Sequence, residues 1–384
     1  MTSFQGYRRP DGRVGVRNFV AVISAMDNTN PCADRIASIV PLAQSITTPF
    51  GRTQIGHDFE ITLRALAGIG CHPNVASGLV LGLSLSSANA LADRIRPSGK
   101  PVAVLGLQEA GDTMALTAEG ARVAADLVVA ASAQTREPCA FSDLTIAVEC
   151  GDSDTTSGLA GNPSVGLFAD RFIDSGGTIV LSEPAEFMGG EHILAERAVD
   201  PADGQRILDM VKWFEDEAIR NGVDMRGTNP TPDNIAGGLT TLEEKSLGAI
   251  AKGGSRPVVE VIEYAEPANK RGLVVMNTPS AACESMTGLL AGGSQMIIFS
   301  TGRGNSIGSP ILPTVKLTGN PNTALTMKDN VDVDVSSIIT DGTSLEAAAT
   351  LLWDDMLAFA QGKLTRSEVW QEEQLSVSRF GPSV

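Results

Sequence analysis

The chain has 384 residues, of which 42% are hydrophobic, so it is long and apolar enough for two folded domains, each with its own core. Its formal net charge of −16 at pH 7 argues against nucleic acid and anionic membrane surfaces as partners, and an anionic substrate would need a local cationic patch or a metal ion. The five cysteines have no paired spacing, which predicts reduced thiols in the cytoplasm. We find neither an N-terminal signal peptide nor an apolar run of about 18 residues, so no membrane span is expected.

Apolar runs alternate with helical patterns over the first third of the chain, and this alternation is typical of an α/β unit with a parallel sheet. Strands are predicted at 18–25, 78–85 and 101–107, and helices at 31–40, 59–69, 88–96 and 113–131. The polar stretch 134–143, which contains Pro138, marks a boundary. We therefore predict a first domain over residues 1–135, which is an ordinary domain size.

A second α/β series follows this boundary. Strands are predicted at 144–149, 178–181, 258–264, 272–276 and 295–300, and helices at 165–175, 202–221 and 345–362. The stretch 227–238 is rich in Gly, Pro and Asn and is predicted to be a loop. The predicted fold class is α/β, with two Rossmann-like domains that have mostly parallel sheets, and the second domain covers residues 140–384.

Polar side chains follow the predicted strand 144–149 directly. The segment 149–154 reads Glu-Cys-Gly-Asp-Ser-Asp, and Asn162 begins a helix shortly afterwards. Because ligands bind at the carboxyl ends of parallel strands, Ser153, Asp154 and Asn162 are candidate substrate-binding residues. Free N–H groups at a helix start also suit an anion. The alternative is a capped strand-to-helix turn, in which the Asp and Ser side chains bind helix N–H groups.

The next strand ends in a second polar segment. Glu183, Glu186 and Glu191 lie within ten residues of one another, and His192 comes directly after them. Hard divalent cations favour carboxylate oxygens, and imidazole suits iron or manganese. The segment therefore indicates a metal or substrate site, while the alternative is a set of solvated charges at a helix start.

A third polar segment follows the predicted strand 295–300. Arg303 stands between Gly302 and Gly304, and Asn305 comes next. A guanidinium can bind a carboxylate through two parallel hydrogen bonds, so this segment predicts a site for a substrate carboxylate. The alternative is a glycine turn with a solvent-facing arginine. The Gly-x-Gly is too short for a dinucleotide fingerprint, so no NAD is expected.

The loop 227–238 and the segment after it form a fourth candidate region. Asn229 and Asn234 are polar candidates for substrate contacts. Thr240 and Glu243 have the spacing of a capping box, which predicts that a helix begins here. Lys245, just inside that helix, is a candidate base or cation.

Taken in order along the chain, these segments resemble the altronate and galactarate dehydratases, a family that includes the large subunit of (2R)-sulfolactate sulfo-lyase. The resemblance runs from Gly6 to about Asp334. It is based on the segments 6–18, 149–154, 161–163, 183–192, 229–246 and 301–304.

The resemblance implies a Rossmann-like C-terminal domain that holds a divalent metal ion, with iron expected and manganese or magnesium as alternatives. It also implies that the first domain forms a homodimer. The predicted metal ligands are Cys150, Glu183, Glu186 and Glu191. Arg303 is predicted to hold the substrate carboxylate, and Lys245 and His192 are alternatives for the catalytic base.

Two departures from the family pattern lead to further expectations. Single-chain family members carry a small N-terminal β-clip (SAF) domain before the segment that begins here at Gly6. We therefore expect that domain to be a separate small subunit. Many members also have an Asp at the position of Ala282, so substrate contacts there are expected to differ.

These observations together predict a lyase that eliminates water or sulfite from a small acidic 2-hydroxycarboxylate, such as a sugar acid or sulfolactate. The segment 153–158 and the expected separate subunit favour the sulfo-lyase type. The alternative is a non-catalytic binding or regulatory subunit on a dehydratase fold, and Ala282 is its support.

Overall fold

The computed structural model describes residues 2–381 and Ser383, and it has mixed α/β architecture with large parallel sheets. The strands are β1 (Ser3–Arg8), β2 (Val14–Gly15), β3 (Phe19–Ser24), β4 (Ala43–Ile46), β5 (Val75–Gly82), β6 (Val102–Gly106), β7 (Glu137–Ala140), β8 (Thr145–Gly151), β9 (Thr178–Leu181), β10 (Val258–Ile262), β11 (Leu273–Met276), β12 (Met296–Thr301), β13 (Thr314–Thr318) and β14 (Val333–Asp334).

The helices begin with the first α/β unit and continue to the C-terminal segment. They are α1 (Asn30–Ile39), α2 (Gly56–Cys71), α3 (Leu85–Ile95), α4 (Leu107–Ala110), α5 (Thr113–Ser132), α6 (Asn162–Asp174), α7 (Glu191–Glu196), α8 (Pro201–Arg220), α9 (Met225–Thr228), α10 (Pro232–Ala236), α11 (Leu242–Ala251), α12 (Ala282–Ala291), α13 (Pro321–Thr326), α14 (Ser337–Thr340), α15 (Leu345–Ala360) and α16 (Arg366–Trp370). None of the helices in the described part of the chain is long and apolar enough to cross a membrane.

The first unit has a four-stranded parallel sheet in the order β4-β3-β5-β6. All eight residues of β5 are buried, as expected for an inner strand that is covered on both faces. Helices α1 and α5 contact each other, as do α2 and α3. Helix α5 begins where Asp112 accepts a hydrogen bond from the backbone of Ala115, which satisfies a free N–H group of the first turn.

The second unit has a seven-stranded parallel sheet in the order β10-β11-β9-β8-β12-β13-β14. Helix α6 packs on α15, while α12 contacts β8 and the α2 helix of the first unit. Strands β9, β11 and β12 are entirely buried and read as continuous apolar runs for most of their length. This pattern is typical of parallel strands with helices on both faces.

The two units share packing rather than being separate bodies. One hydrophobic cluster contains Ile23 and Ile61 of the first unit together with Val274 and Leu289 of the second. Helix α2 approaches α12 closely at Gly68, where an added Cβ atom would lie 2.3 Å from the carbonyl oxygen of Ala291. Only a glycine at this position allows that approach.

The predicted boundary 134–143 contains regular structure. It contains β7, which pairs antiparallel with β1, and β1 pairs with β2 in a small third sheet. The Arg8 side chain binds the Glu137 carboxylate across this pair. Sequence periodicity missed both strands because each is short and pairs with a strand far away in the chain.

Most predicted helices and strands are present, with shifted ends. The predicted strand 178–181 has the observed bounds of β9. The prediction that 227–238 is a loop was wrong, because this stretch contains the end of α9 and all of α10. Helix α10 begins with a reciprocal cap between Thr231 and Asn234, a pattern that the high Pro and Asn content concealed.

Candidate functional site

The candidate site lies at the carboxyl ends of the central strands of the seven-stranded sheet. The chain enters this sheet at β8 and forms β9, β10 and β11 on one side, with β11 between β9 and β10, and then continues through β12 on the other side. Ligands of open α/β sheets bind where the strand order reverses in this way. The loops after β8, β9 and β12, which carry most of the predicted site residues, therefore meet at one edge.

A buried cluster of ionisable groups lies at the ends of β8 and β9. The Cys150 thiol donates to Oε1 of Glu183 at 3.4 Å, and the Cys150 backbone N–H donates to Oε2 at 3.0 Å. The Nζ of Lys252, the residue that caps the C-terminal end of α11, lies 3.7 Å from the same Oε2. Glu183 and Lys252 are both buried, so the ammonium is a fixed counter-charge for the carboxylate.

A second carboxyl group lies directly beneath this cluster. Oε2 of Glu149 accepts hydrogen bonds from Ser182 at 2.9 Å and Ser285 at 2.6 Å. Its Oε1 is buried and has no hydrogen-bond partner among the described residues. Burial, together with the negative charge of Glu183, raises the pKa of Glu149 well above its ordinary value. Glu149 therefore keeps its proton more readily than an exposed glutamate.

Burial also sets the protonation of the neighbouring groups. It raises the pKa of the Cys150 thiol, and the charge of Glu183 raises it further. Burial alone would lower the pKa of Lys252, but the surrounding anionic groups raise it instead. At neutral pH, Cys150 is thus a thiol and Lys252 an ammonium ion.

A second lysine–glutamate pair lies nearer the surface. The Lys245 Nζ lies 3.0 Å from Oε2 of Glu186 and donates to the side-chain oxygen of Asn229 at 2.7 Å. The Lys245 side chain is only 11% exposed. Lys252 directly follows α11 and is seven residues after Lys245, so the two lysines lie on the same side of this helix, and each reaches one of the two glutamates.

The predicted metal ligands are not arranged as a metal site. In the described part of the chain, no three His, Cys, Asp or Glu side chains are grouped so that they could hold a metal ion. The carboxylates of Glu183 and Glu186 are each matched by a lysine, and Cys150 keeps its proton. A metal ion at these residues would have to displace both lysines and take the proton from Cys150.

The other two residues of the second segment lie apart from this cluster. Glu191 and His192 are in the first turn of α7. Glu191 is half-buried and its Oε2 has no partner among the described residues, while His192 is exposed. The lysines thus lie in the site, and the imidazole lies at the surface.

Asp154 supports the loop after β8 from within. One of its oxygens accepts hydrogen bonds from the Ser157 backbone at 3.0 Å and the Thr156 hydroxyl at 2.6 Å. The other oxygen accepts from Asn320 at 2.6 Å. These contacts form the capped turn that was the alternative interpretation of the segment, and Asp154 also lines the cavity described below.

Other predicted polar contacts are also used to build the site. Asn234 donates to the Ser153 carbonyl at 2.9 Å, and Asn162 accepts from Ser300 at 2.7 Å. Gly302 is needed because an added Cβ would lie 2.3 Å from the side chain of Asp154. These side chains hold the loops together at the sheet edge.

The third predicted segment is at the rim of the site. Arg303 Nε lies 3.5 Å from a carboxylate oxygen of Asp152, and its guanidinium also donates to the Asp233 carbonyl at 2.6 Å. Gly304 has φ +91°, and Asn305 accepts from the Ile307 backbone at 2.8 Å. Arg303 is 37% exposed, so it can still reach a ligand.

A cavity of 320 Å³ opens between the loop after β8 and α11, and that size suits a small organic ligand. Ser153, Asp154 and Asn162 line it, together with Lys245. The cavity therefore brings together the first and fourth predicted segments.

Sequence analysis missed two groups of the site. Lys252 could have been found from its spacing of seven residues from Lys245, in the helix whose start was predicted or just after it. No local sequence pattern could have indicated that Asn320 belongs to the site, because it binds Asp154, which lies 166 positions away in the chain. The start of α11 was predicted one residue early, since Thr241 caps Glu244, and Glu244 in turn binds Thr240.

Comparisons with known families cover nearly the whole chain. Residues 6–132 match the model described as the D-galactarate dehydratase/Altronate hydrolase second domain. Residues 141–383 match the model described as the D-galactarate/Altronate dehydratase C-terminal domain.

Individual relatives differ in how much of their own length is matched. The chain is 39% identical to the (2R)-sulfolactate sulfo-lyase subunit beta of Chromohalobacter salexigens, over 98% of this chain and 97% of the relative. It is 31% identical to the altronate dehydratase of Bacillus subtilis, over 99% of this chain and 78% of the relative. It is 32% identical to the altronate dehydratase of Escherichia coli, over 98% of this chain and 78% of the relative.

Proposed function

The chain belongs to the D-galactarate/altronate dehydratase family of lyases, and from that membership we propose that it eliminates water or sulfite from a small acidic 2-hydroxycarboxylate. The observation that carries the proposal is Lys245, which lines the cavity beside the loop after β8 and contacts Glu186 and Asn229. It supplies a proton-transferring pair at the place where α/β sheets bind ligands.

Within this family, sulfolactate is the substrate that we favour. The sulfo-lyase subunit is more similar to this chain than the two altronate dehydratases named above, and its length is almost fully matched. Both sulfolactate and the sugar acids carry a hydroxyl group beside a carboxylate, so the first step is the same for either. The difference lies in the group that leaves.

The proposed reaction breaks two bonds at adjacent carbons. A base takes the proton beside the carboxylate, and the electron pair of that C–H bond becomes the new C=C bond. The leaving group departs with the pair of its own C–O or C–S bond, and the resulting enol converts to a 2-keto acid. Hydroxide needs a proton in order to leave as water, whereas sulfite leaves as a stable anion.

Lys245 is the group that we assign to proton transfer. It lines the cavity, whereas His192 is exposed on α7. For the elimination, Lys245 takes the α proton after its own proton has passed to solvent, and the Glu186 carboxylate, 3.0 Å away, orients its amino group. The ammonium ion that forms can then give a proton to a leaving hydroxide.

Cations at the cavity would offset the charge of the substrate. Arg303 is the proposed partner of the substrate carboxylate, because its guanidinium remains partly exposed at the rim. Lys252 is buried behind Glu183 and acts on the site through that carboxylate. These positive charges would attract an anionic substrate to the site, although the chain as a whole has a net charge of −16.

A divalent metal ion stays a prediction from the sequence, and no step above uses one. Elemental analysis of protein purified without chelator, combined with turnover in excess EDTA, tests it.

Homodimer formation is likewise a proposal, tested by sedimentation. We also propose a separate small partner subunit, since the matched sulfo-lyase chain is named as one subunit of an enzyme.

The function is tested by product formation. The protein is incubated with (2R)-sulfolactate, altronate or galactarate, alone and with the other subunit of the C. salexigens sulfo-lyase. We expect sulfite and 2-keto acid from sulfolactate. If the protein binds these acids but forms no 2-keto acid from any of them, either alone or with the other subunit, the non-catalytic alternative is supported instead.

A further inference from the structure

A second cavity, of 370 Å³, lies where helices α2 and α8 meet the loops after β10 and β11. Only 4% of the residues of the chain are aromatic, yet four aromatic side chains line this cavity, so we call it the aromatic cavity. They are Trp213, Phe214, Tyr264 and Phe380. Within the described part of the chain, it shares no lining residue with the cavity that Lys245 lines. The two cavities are therefore separate sites.

The aromatic wall is held in place by the C-terminal segment. The Asp58 carboxylate, in the first turn of α2, accepts hydrogen bonds from the backbone N–H groups of Phe380 and Gly381, each at 2.8 Å. The Phe380 ring packs edge-on against the Trp213 ring, with 5.3 Å between their centroids, and its centroid lies 5.7 Å from that of the His57 ring. A fixed wall of this kind accepts another flat ring at little cost in side-chain entropy.

Arg64 is a cation of the aromatic cavity whose hydrogen bonds are incomplete. Its Nη1 donates to Oε1 of Glu266 at 3.1 Å, whereas its Nε is buried and has no partner among the described residues. A guanidinium has five N–H donors and binds a carboxylate through two of them. The contact with Glu266 is partly exposed, so it holds the guanidinium only weakly. Arg64 can therefore bind a further anion.

The carboxylate of the aromatic cavity, in contrast, has a partner on each oxygen. Oε1 of Glu263 accepts a hydrogen bond from Arg206 at 2.9 Å, and Oε2 accepts one from the Asn277 side chain at 3.0 Å. Because the charge of Glu263 is matched and that of Arg64 is matched only in part, the cavity favours an anionic ligand over a cationic one.

We propose that the aromatic cavity binds a small aromatic carboxylic acid, with its ring against Trp213 and Phe380 and its carboxylate on Arg64. A volume of 370 Å³ suits a ligand of about one or two rings. Sulfolactate and the sugar acids have no aromatic part that could cover the wall, so this ligand differs from the proposed substrate. The proposal does not depend on the proposed function.

The aromatic cavity lies beside the loop that carries the buried Glu183. Thr278 lines the cavity, and its hydroxyl accepts a hydrogen bond from the Glu183 backbone N–H at 2.9 Å. The same hydroxyl lies 3.1 Å from the hydroxyl of Ser285, which donates to Glu149. An acid in the aromatic cavity is thus next to a residue that supports the Glu183 loop, outside the cavity that Lys245 lines.

Calorimetry of the full chain with 2-naphthoate as the probe tests the proposal. The cavity variants are Arg64→Gln and Trp213→Ala. The matched controls are Arg94→Gln, which changes a partly exposed arginine on α3, and Trp370→Ala, which changes an exposed tryptophan on α16. We expect both cavity variants to weaken binding about tenfold or more, and both controls to bind like wild type.

A second probe, 2-naphthamide, has the same rings without the charge. It should bind wild type about tenfold more weakly than 2-naphthoate, and Arg64→Gln should not weaken its binding further. Circular dichroism and thermal melting confirm that each variant is folded.

The proposal is overturned if wild type does not bind 2-naphthoate, if cavity and control variants bind alike, or if 2-naphthamide binds as tightly as 2-naphthoate. Lys245→Met completes the test, because Lys245 lines the other cavity. This variant should bind 2-naphthoate like wild type, and a loss of binding would place the probe in the other cavity and overturn the proposal. No substrate is present in these measurements, so their outcome is separate from that of the lyase proposal.

Discussion

At the scale of single residues, the Lys245–Glu186 pair allows the most direct test of the site. We expect Lys245→Met to lower kcat by about 10²-fold or more, because proton transfer by a positioned side chain contributes about that much. The substitution also leaves the nearly buried Glu186 without a counter-charge, so stability must be measured by chemical denaturation alongside the kinetics.

Two further variants separate catalysis from folding in that experiment. Lys212→Met removes an exposed lysine that pairs with Asp216 on α8, and it should leave kcat unchanged. The double variant Lys245→Met with Glu186→Gln removes both charges of the site pair, so it should recover stability without recovering activity. Near-wild-type turnover by a folded Lys245→Met would exclude Lys245 from proton transfer.

A second residue-scale prediction concerns Asp332, away from the site. Burial raises the pKa of this carboxyl to about 6, against backbone hydrogen bonds from Lys316 and Arg366 that lower it. The stability that its protonated form contributes is complete below the pKa of the unfolded chain, 3.8, and is lost as the pH rises through 6. Relative to Asp332→Asn, wild type should therefore lose about 2 kcal/mol of unfolding free energy between pH 4 and pH 7.

The pH series needs a carboxyl control with the opposite shift. Hydrogen bonds from Asn269 and Lys270 lower the pKa of Glu260, although burial opposes them. The stability that the Glu260 carboxylate contributes is complete above the pKa that this group has in the unfolded chain. It is lost only as the pH falls through the pKa that the group has in the folded protein. The difference between wild type and Glu260→Gln should thus be flat from pH 5 to pH 7. A flat Asp332→Asn difference over pH 4 to 7 would contradict the assignment.

At the scale of elements, the contact between α2 and α12 depends on Gly68. Gly68→Ala places a methyl group against the Ala291 carbonyl oxygen and should cost about 1–3 kcal/mol of unfolding free energy, because neither helix backbone can move freely. Gly227→Ala, on α9, meets nothing within 4 Å and should be neutral or slightly stabilising. Urea denaturation of both variants measures the difference, and equal stability of the two would refute the close approach.

At the scale of the whole molecule, the excess of 45 acidic over 29 basic residues repels an anionic substrate at long range. Raising the salt concentration from about 10 mM to about 150 mM should therefore increase kcat/KM about twofold to fivefold by screening that repulsion. The kcat should change little, since contacts inside the cavity are screened less. Stopped-flow or initial-rate measurements at several salt concentrations check this, and a fall in kcat/KM would show that the local cations dominate instead.

The sequence by itself determined the α/β class, most of the strands and helices, and the positions of the polar segments after β8, β9 and β12. These features follow from local periodicity, from turn residues and from the rule that parallel strands end at one edge. It also indicated the family through ordered motifs.

Only the tertiary structure decided what those polar residues contact. Lys252 pairs with Glu183, Asp154 binds Asn320, and Arg303 lies between Asp152 and Asp233. Each of these pairs joins positions that are at least 69 residues apart in the chain. Local patterns carry no information about such pairings, because they depend on how helices pack against the sheet and on which charges burial forces together.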